Sequence, residues 1–118
     1  MAKIEDLAMA VLEYDNLLAR TLVQEYYDPL LALAHIEKPV TEDRDILVTS
    51  AALLELLSLR RGQTPPAWTA EVGPLLHSRY LLKAAASMQR LRRMCETEAP
   101  EPLRKRGLFA PPNFLEFV

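Results

Sequence analysis

Residues 46–59, ILVTSAALLELLSL, place apolar side chains on nearly every side of the helix they would form, with Glu55 as the only charge. A helix that is apolar all round has to be covered by other elements. Spanning a bilayer takes about 20 apolar residues, more than this stretch offers. The pattern predicts the buried central helix of a small helical protein, running over about residues 43–61. Asp43 and Asp45 suit the positive end of its dipole, and Arg60 and Arg61 suit the negative end. Gly62 stands where a left-handed C-cap belongs.

The flanking pattern adds shorter elements. Ile4, Leu7, Ala8, Val11, Leu18, Leu22 and Tyr26 recur at spacings of three and four and predict one helix over residues 4–27. Asp28-Pro29 ends or kinks it, because proline disfavours helix in the residue before it. Residues 30–36 predict a short second helix, and KPVTEDRD is a connector in which Thr41 or Asp43 caps the next helix. Residues 63–76 form a proline-rich loop around the only tryptophan, Trp68. Residues 78–97 predict a last long helix, with Leu81, Ala85, Met88, Leu91, Met94 and Cys95 inward and Arg79, Lys83, Arg90, Arg92 and Arg93 outward. Pro100 and Pro102 end it, and Leu103–Arg106 adds a turn before Gly107. The tail, LFAPPNFLEFV, holds all three phenylalanines, Phe109, Phe114 and Phe117. The expected fold is therefore all-α. It is one domain over residues 1–118, a bundle of about four helices around a buried central helix, with a proline-rich loop and an aromatic tail over 107–118 that docks or binds a partner.

Composition changes this picture in two ways. An apolar fraction of 50% with 25% charged residues suits a folded globular chain. The net charge of -2 hides an asymmetry: residues 1–45 carry four basic and ten acidic side chains, and the remainder carries ten basic and six acidic. An acidic front and a basic back present two differently charged faces. A single cysteine allows no internal disulfide, which fits a reducing compartment. The N-terminus lacks a signal-peptide core and no stretch reads as a membrane span, so the expected location is the cytoplasm.

Candidate chemistry is sparse. His35 and His77 with one cysteine are too few for a zinc site. Cys95 sits on an apolar stripe, where a small buried hydrophobe explains it better than a nucleophile. Glu42, Asp43 and Asp45 read as capping residues rather than cation ligands. Glu55 reads as a carboxylate at a thin exposed edge or paired with an arginine. No glycine-rich phosphate loop and no nucleophile elbow is present. The expectation is a protein that is not an enzyme and takes no cofactor and no metal. Residues 79–106 hold eight basic and three acidic side chains and can meet phosphates. Against a dedicated DNA binder stand a pI near 5.7 and the lack of a placeable helix-turn-helix. Aromatics and arginines are enriched at interface hot spots. The expected partner-binding residues are Trp68, Arg90, Arg93, Arg104, Arg106, Phe109, Asn113, Phe114 and Phe117, with Arg104, Arg106 and Phe117 facing outward from a docked tail.

Two stretches, GQTPPAWTAEVGPL (62–75) and LRRMCETEAPEPLRKRGLFAPPNFLEFV (91–118), carry a resemblance, together with LVQEYY and AALLELLSLR. The chain resembles a group of small bacterial proteins encoded beside predicted nucleotidyltransferases of toxin–antitoxin type and taken as the antitoxin partner. The resemblance implies a non-catalytic protein that binds and neutralises a nucleotidyltransferase-like toxin. Longer relatives carry a helix-turn-helix in front of a similar tail, for which this chain, opening directly on its first helix, leaves no room. Alternatives from the residues themselves are a small nucleic-acid-binding regulator and a homodimeric helical scaffold. Within the antitoxin reading, either the acidic first helix covers a basic surface of the toxin, or the C-terminal arginines meet its carboxylates.

Overall fold

The structure is a computed structural model that describes residues 3–116, and it is mostly helical, with 55% helix and 4% strand. The stretch predicted as one first helix is two. Helix α1 runs Ile4–Leu12 and helix α2 runs Asn16–Glu25. Between them Tyr14 takes a left-handed backbone with φ 60°, and the Asp15 carboxylate accepts the Leu18 amide as an N-cap. Asp15 and Asn16 favour such local bonds over helix interior, which is the physical reason for the break. The break also resets the phase of the buried face. Ala19, Val23 and Tyr26 go inside, whereas Leu18 is exposed and Leu22 only half-buried.

Residues 30–36 form a short 3-10 turn at Leu33–His35 rather than an α-helix. Helix α3, Arg44–Arg61, is the central helix. Its N-terminus is capped by the Asp43 carboxylate, which accepts the amides of Asp45 and Ile46. Gly62 closes it with φ 66° and an amide bonded to Leu59 O. Every residue from Val48 to Ser58 is buried except Glu55, as a helix apolar on all sides requires. Helix α1 packs on α3 and carries α2 on its own flank, while α5 and the turn at Ala67–Glu71 pack on α3 as well.

The stretch predicted as one helix over 78–97 is a larger correction. It opens as strand β1, Arg79–Tyr80, passes a 3-10 turn at Lys83–Ala86, and becomes helix α4 only at Gln89–Glu98. Pro100 N-caps a last turn, α5, Glu101–Arg104. Strand β2, Leu108–Phe109, then lies parallel to β1 in the register Arg79↔Leu108 and Tyr80↔Phe109. The amides of Arg79 and Leu81 donate to Gly107 O and Phe109 O at 2.9 and 2.8 Å. Long-range pairing with the tail has overridden local helix preference there. One cluster of buried apolar side chains runs from Ile4 to Leu115 and joins α1, α2, α3, α5 and the tail, while α4 contributes none of its residues to it.

Candidate partner-binding surface

Arg106, expected outward, lies inside instead. Its side chain is 3% exposed and meets the Glu55 carboxylate through two bonds, Nη1 to Oε1 at 2.6 Å and Nη2 to Oε2 at 3.1 Å. The remaining N–H groups donate to backbone carbonyls: Nε to Val72 O, Nη1 to Pro102 O and Nη2 to Thr69 O. A guanidinium is a fixed fork of donors, and burying it requires partners for all of them. Glu55 of α3 supplies the charge, and the proline-rich loop supplies carbonyls. Lys105 Nζ adds a second cation 3.0 Å from Glu55 Oε1. Burial alone would raise the Glu55 pKa, but the hydrogen bonds and charges of Arg106 and Lys105 outweigh it and lower it to about 2. The cluster staples α3, the loop and the C-terminal segment together.

The aromatic anchors also point inward. Trp68 is half-buried, and its indole N–H donates to Ile36 O at 2.8 Å. Phe109 is half-buried against the Tyr80 ring, with centroids 5.4 Å apart. Phe114 is buried. Asn113 is exposed and lines, with Val11, Ala19, Leu82 and Phe114, a cleft of about 220 Å³ between α2 and the tail. Arg60 of α3 holds this tail by donating to Phe114 O and Pro112 O. Leu115, buried, takes φ 63° there. Phe117 lies outside the described residues.

Arg90, Arg93 and Arg104 are exposed. The first two stand on the outer side of α4, whose only fully buried residue is Cys95. Arg104 donates to Thr97 O at 3.1 Å, which sets its guanidinium at the C-terminal end of α4. Of the nine expected contact residues, the structure therefore brings Arg90, Arg93 and Arg104 to one surface. It turns Arg106, Trp68, Phe109 and Phe114 toward the protein's own interior.

Exposed apolar side chains concentrate in the first two helices, although Tyr14 donates its hydroxyl to Tyr80 O and Tyr27 lies beside Leu115 and Glu116 of the tail. Among the described residues ten large apolar side chains are exposed, and six of them, Met9, Tyr14, Leu17, Leu18, Tyr27 and Leu30, fall within residues 9–30. Leu17 is 78% exposed, beyond what an amphipathic helix needs to cover its own core. Leu12 and Leu22 are half-buried beside them. Met9 and Leu12 are three apart on α1, and Leu18 and Leu22 are four apart on α2, so each pair shares a helix face. Carboxylates rim the hairpin: Glu5, Asp6, Glu13, Asp15 and Glu25, against Arg20. Tyr26 beneath it has its phenol pKa raised, by burial first and then by Glu25, Asp6 and Glu5. Sequence reasoning missed Leu17 and Leu18 as surface residues because an unbroken helix would carry Leu18 inward. The signal available was the Asp15-Asn16 pair, which breaks that phase.

Chemical groups elsewhere are separated or engaged. Asp43 caps α3, and Asp45 pairs with Arg79 at 2.9 Å. Burial pushes the Cys95 thiol pKa up, and Glu96 adds to this, which disfavours the reactive thiolate. Among the described residues no group of three or more histidine, cysteine or carboxylate side chains is placed to hold a metal ion. No described helix is long and apolar enough to cross a membrane. Comparison with protein-family models, with curated proteins and with solved structures gave no match.

Proposed function

We propose that this chain is a non-catalytic antitoxin or accessory protein that binds a cognate protein toxin of the nucleotidyltransferase type and blocks its substrate surface. The observation that carries the reading is the α1–α2 hairpin, which exposes Met9 on α1 and Leu17 and Leu18 on α2, with the exposed carboxylates Asp6, Glu13 and Asp15 on the same two helices and the turn between them. An apolar centre with a charged rim is the anatomy of a protein interface. The rim's charge complements a basic surface, such as one that binds phosphate-bearing substrates. A second copy of this chain fits the same face poorly, because an isologous dimer would oppose like charges. The version in which C-terminal arginines lead the contact has less support, since Trp68 and Phe114 pack on the protein's own core and Phe109 packs on the Tyr80 ring.

The test is co-purification of the tagged chain from its native host, with mass spectrometry of what comes with it. The expected result is a stoichiometric nucleotidyltransferase-type protein, lost when Leu17→Glu and Leu18→Glu are combined. Recovery of the chain alone, or a partner retained by the double variant, contradicts the reading.

A further inference from the structure

The basic side of the molecule is separate from the hairpin and has its own chemistry. Helix α4 is peripheral: Cys95 is fully buried, Leu91 and Met94 half-buried, and the remaining seven residues are exposed. At 100° per residue, Gln89, Arg90, Arg93 and Thr97 fall within an arc of roughly 100° on the side away from Cys95. They line a shallow depression of about 420 Å³, with Met94 and Glu98 at its edge. Among the described residues, the Arg90 and Arg93 side chains make no hydrogen bond and no ion pair. Their neighbours are occupied otherwise. Arg92 donates to Ala85 O and Ala86 O and lies 5.4 Å over the Tyr80 ring. Glu96 accepts the Tyr80 hydroxyl, which draws that carboxylate away from the arginines. Arg104, anchored on Thr97 O, extends the row beyond the helix end.

The row has a length that can be compared with ligands. From residue 90 to 97 a helix rises about 10 Å, at 1.5 Å per residue. Along one strand of duplex DNA the phosphates recur about every 3.4 Å of axis, so the row spans about three of them. Arginine and the glutamine amide are phosphate ligands in such contacts, whereas the Thr97 hydroxyl donates to Arg93 O within the helix. The outward arc carries no apolar or aromatic side chain. A protein interface would find only the half-buried Met94 at the edge as an apolar anchor, and a single strand would lack a ring on which to stack its bases.

We propose that the outward face of α4, continued by Arg104, is a contact surface for the phosphate backbone of duplex nucleic acid, independent of base sequence. The surface lies on different elements from the α1–α2 hairpin and does not depend on the partner assigned to that face. Three phosphate contacts give a log–log salt slope of about -2.7, so affinity falls about 40-fold between 50 and 200 mM salt.

The test is fluorescence anisotropy of the full chain with a random-sequence 20-base-pair DNA duplex across that salt range. The expected result is saturable binding at 50 mM salt with that slope. Arg90→Gln combined with Arg93→Gln should weaken it more than tenfold and reduce the slope by about 2. Both substitutions are on exposed residues, so melting temperature and protein co-purification should remain as in the wild type. Absence of duplex binding at 50 mM salt overturns the proposal, as does a double variant with an unchanged slope. Tighter binding of a 20-nucleotide single strand than of the duplex overturns it too. Retention by poly-L-glutamate with none by the duplex would reassign the face to an acidic protein.

Discussion

Replacing Glu55 by Gln keeps the shape of the side chain and removes its charge. It leaves the Arg106 guanidinium, 3% exposed, without its one anionic partner among the described residues, while the carbonyls of Thr69, Val72 and Pro102 remain. Breaking a buried ion pair from one side costs about 3–5 kcal/mol. The pKa shift arises from the same contacts with Arg106 and Lys105 and gives a figure of similar size. A carboxyl lowered from 4.5 to about 2 is stabilised in its charged form on folding by about 3 kcal/mol. A domain of this size has roughly 5–15 kcal/mol in total. At about 4 °C per kcal/mol the variant should melt roughly 12–20 °C below the wild type at pH 7. The sign with pH follows from the direction of the shift. Because the folded pKa is the lower one, the stability is fully present above pH 4.5 and is lost as pH falls toward 2. Circular dichroism melts of both proteins at intervals from pH 7 to pH 3 should therefore show a gap that is constant above pH 5 and narrows below it. A gap under about 3 °C at pH 7, or one that does not narrow on acidification, would refute the role given to Glu55.

Other substitutions probe other parts of the molecule. Thr49 is fully buried on α3 with no partner for its hydroxyl, so Thr49→Val should raise stability by about 1 kcal/mol in urea titrations. Gly62 has φ 66°, and a Cβ added there would meet open space, so Gly62→Ala should cost about 1 kcal/mol through backbone strain alone, read from the same titrations. Asp43→Ala removes the α3 N-cap and should cost about 1 kcal/mol, again by urea titration. Cys95 is fully buried with its thiol pKa raised, so a thiol reagent should leave the native protein unlabelled and label one site per chain in denaturant.

The central helix is legible in the sequence because pattern, caps and terminal charges all agree over Arg44–Arg61. That Glu55 either lies at a thin exposed edge or pairs with an arginine is also legible, and the structure shows the arginine. Which arginine it meets is not legible, because arginine is usually exposed and nothing local marks Arg106 for burial. The break after Leu12 is hidden by apolar spacing that continues through Leu18 and Leu22. Strands β1 and β2 are hidden for a different reason. Each is two residues long, and their pairing joins positions 79 and 108, so no local alternation announces it. The tail phenylalanines suit either the core or a partner by residue type alone, and Phe114 and Phe109 pack within the fold. The hairpin surface is invisible in the sequence pattern because its exposed leucines emerge only once the helix is divided.

The antitoxin reading meets its most direct test in hydrogen–deuterium exchange of the co-purified complex against the free chain, resolved by peptide. Partner binding should slow exchange over residues 9–27 and leave α3 unchanged, because α3 is already buried in the free protein. Protection confined to the tail or to α4, with the hairpin exchanging as in the free chain, would contradict the assignment of the hairpin as the toxin-binding face.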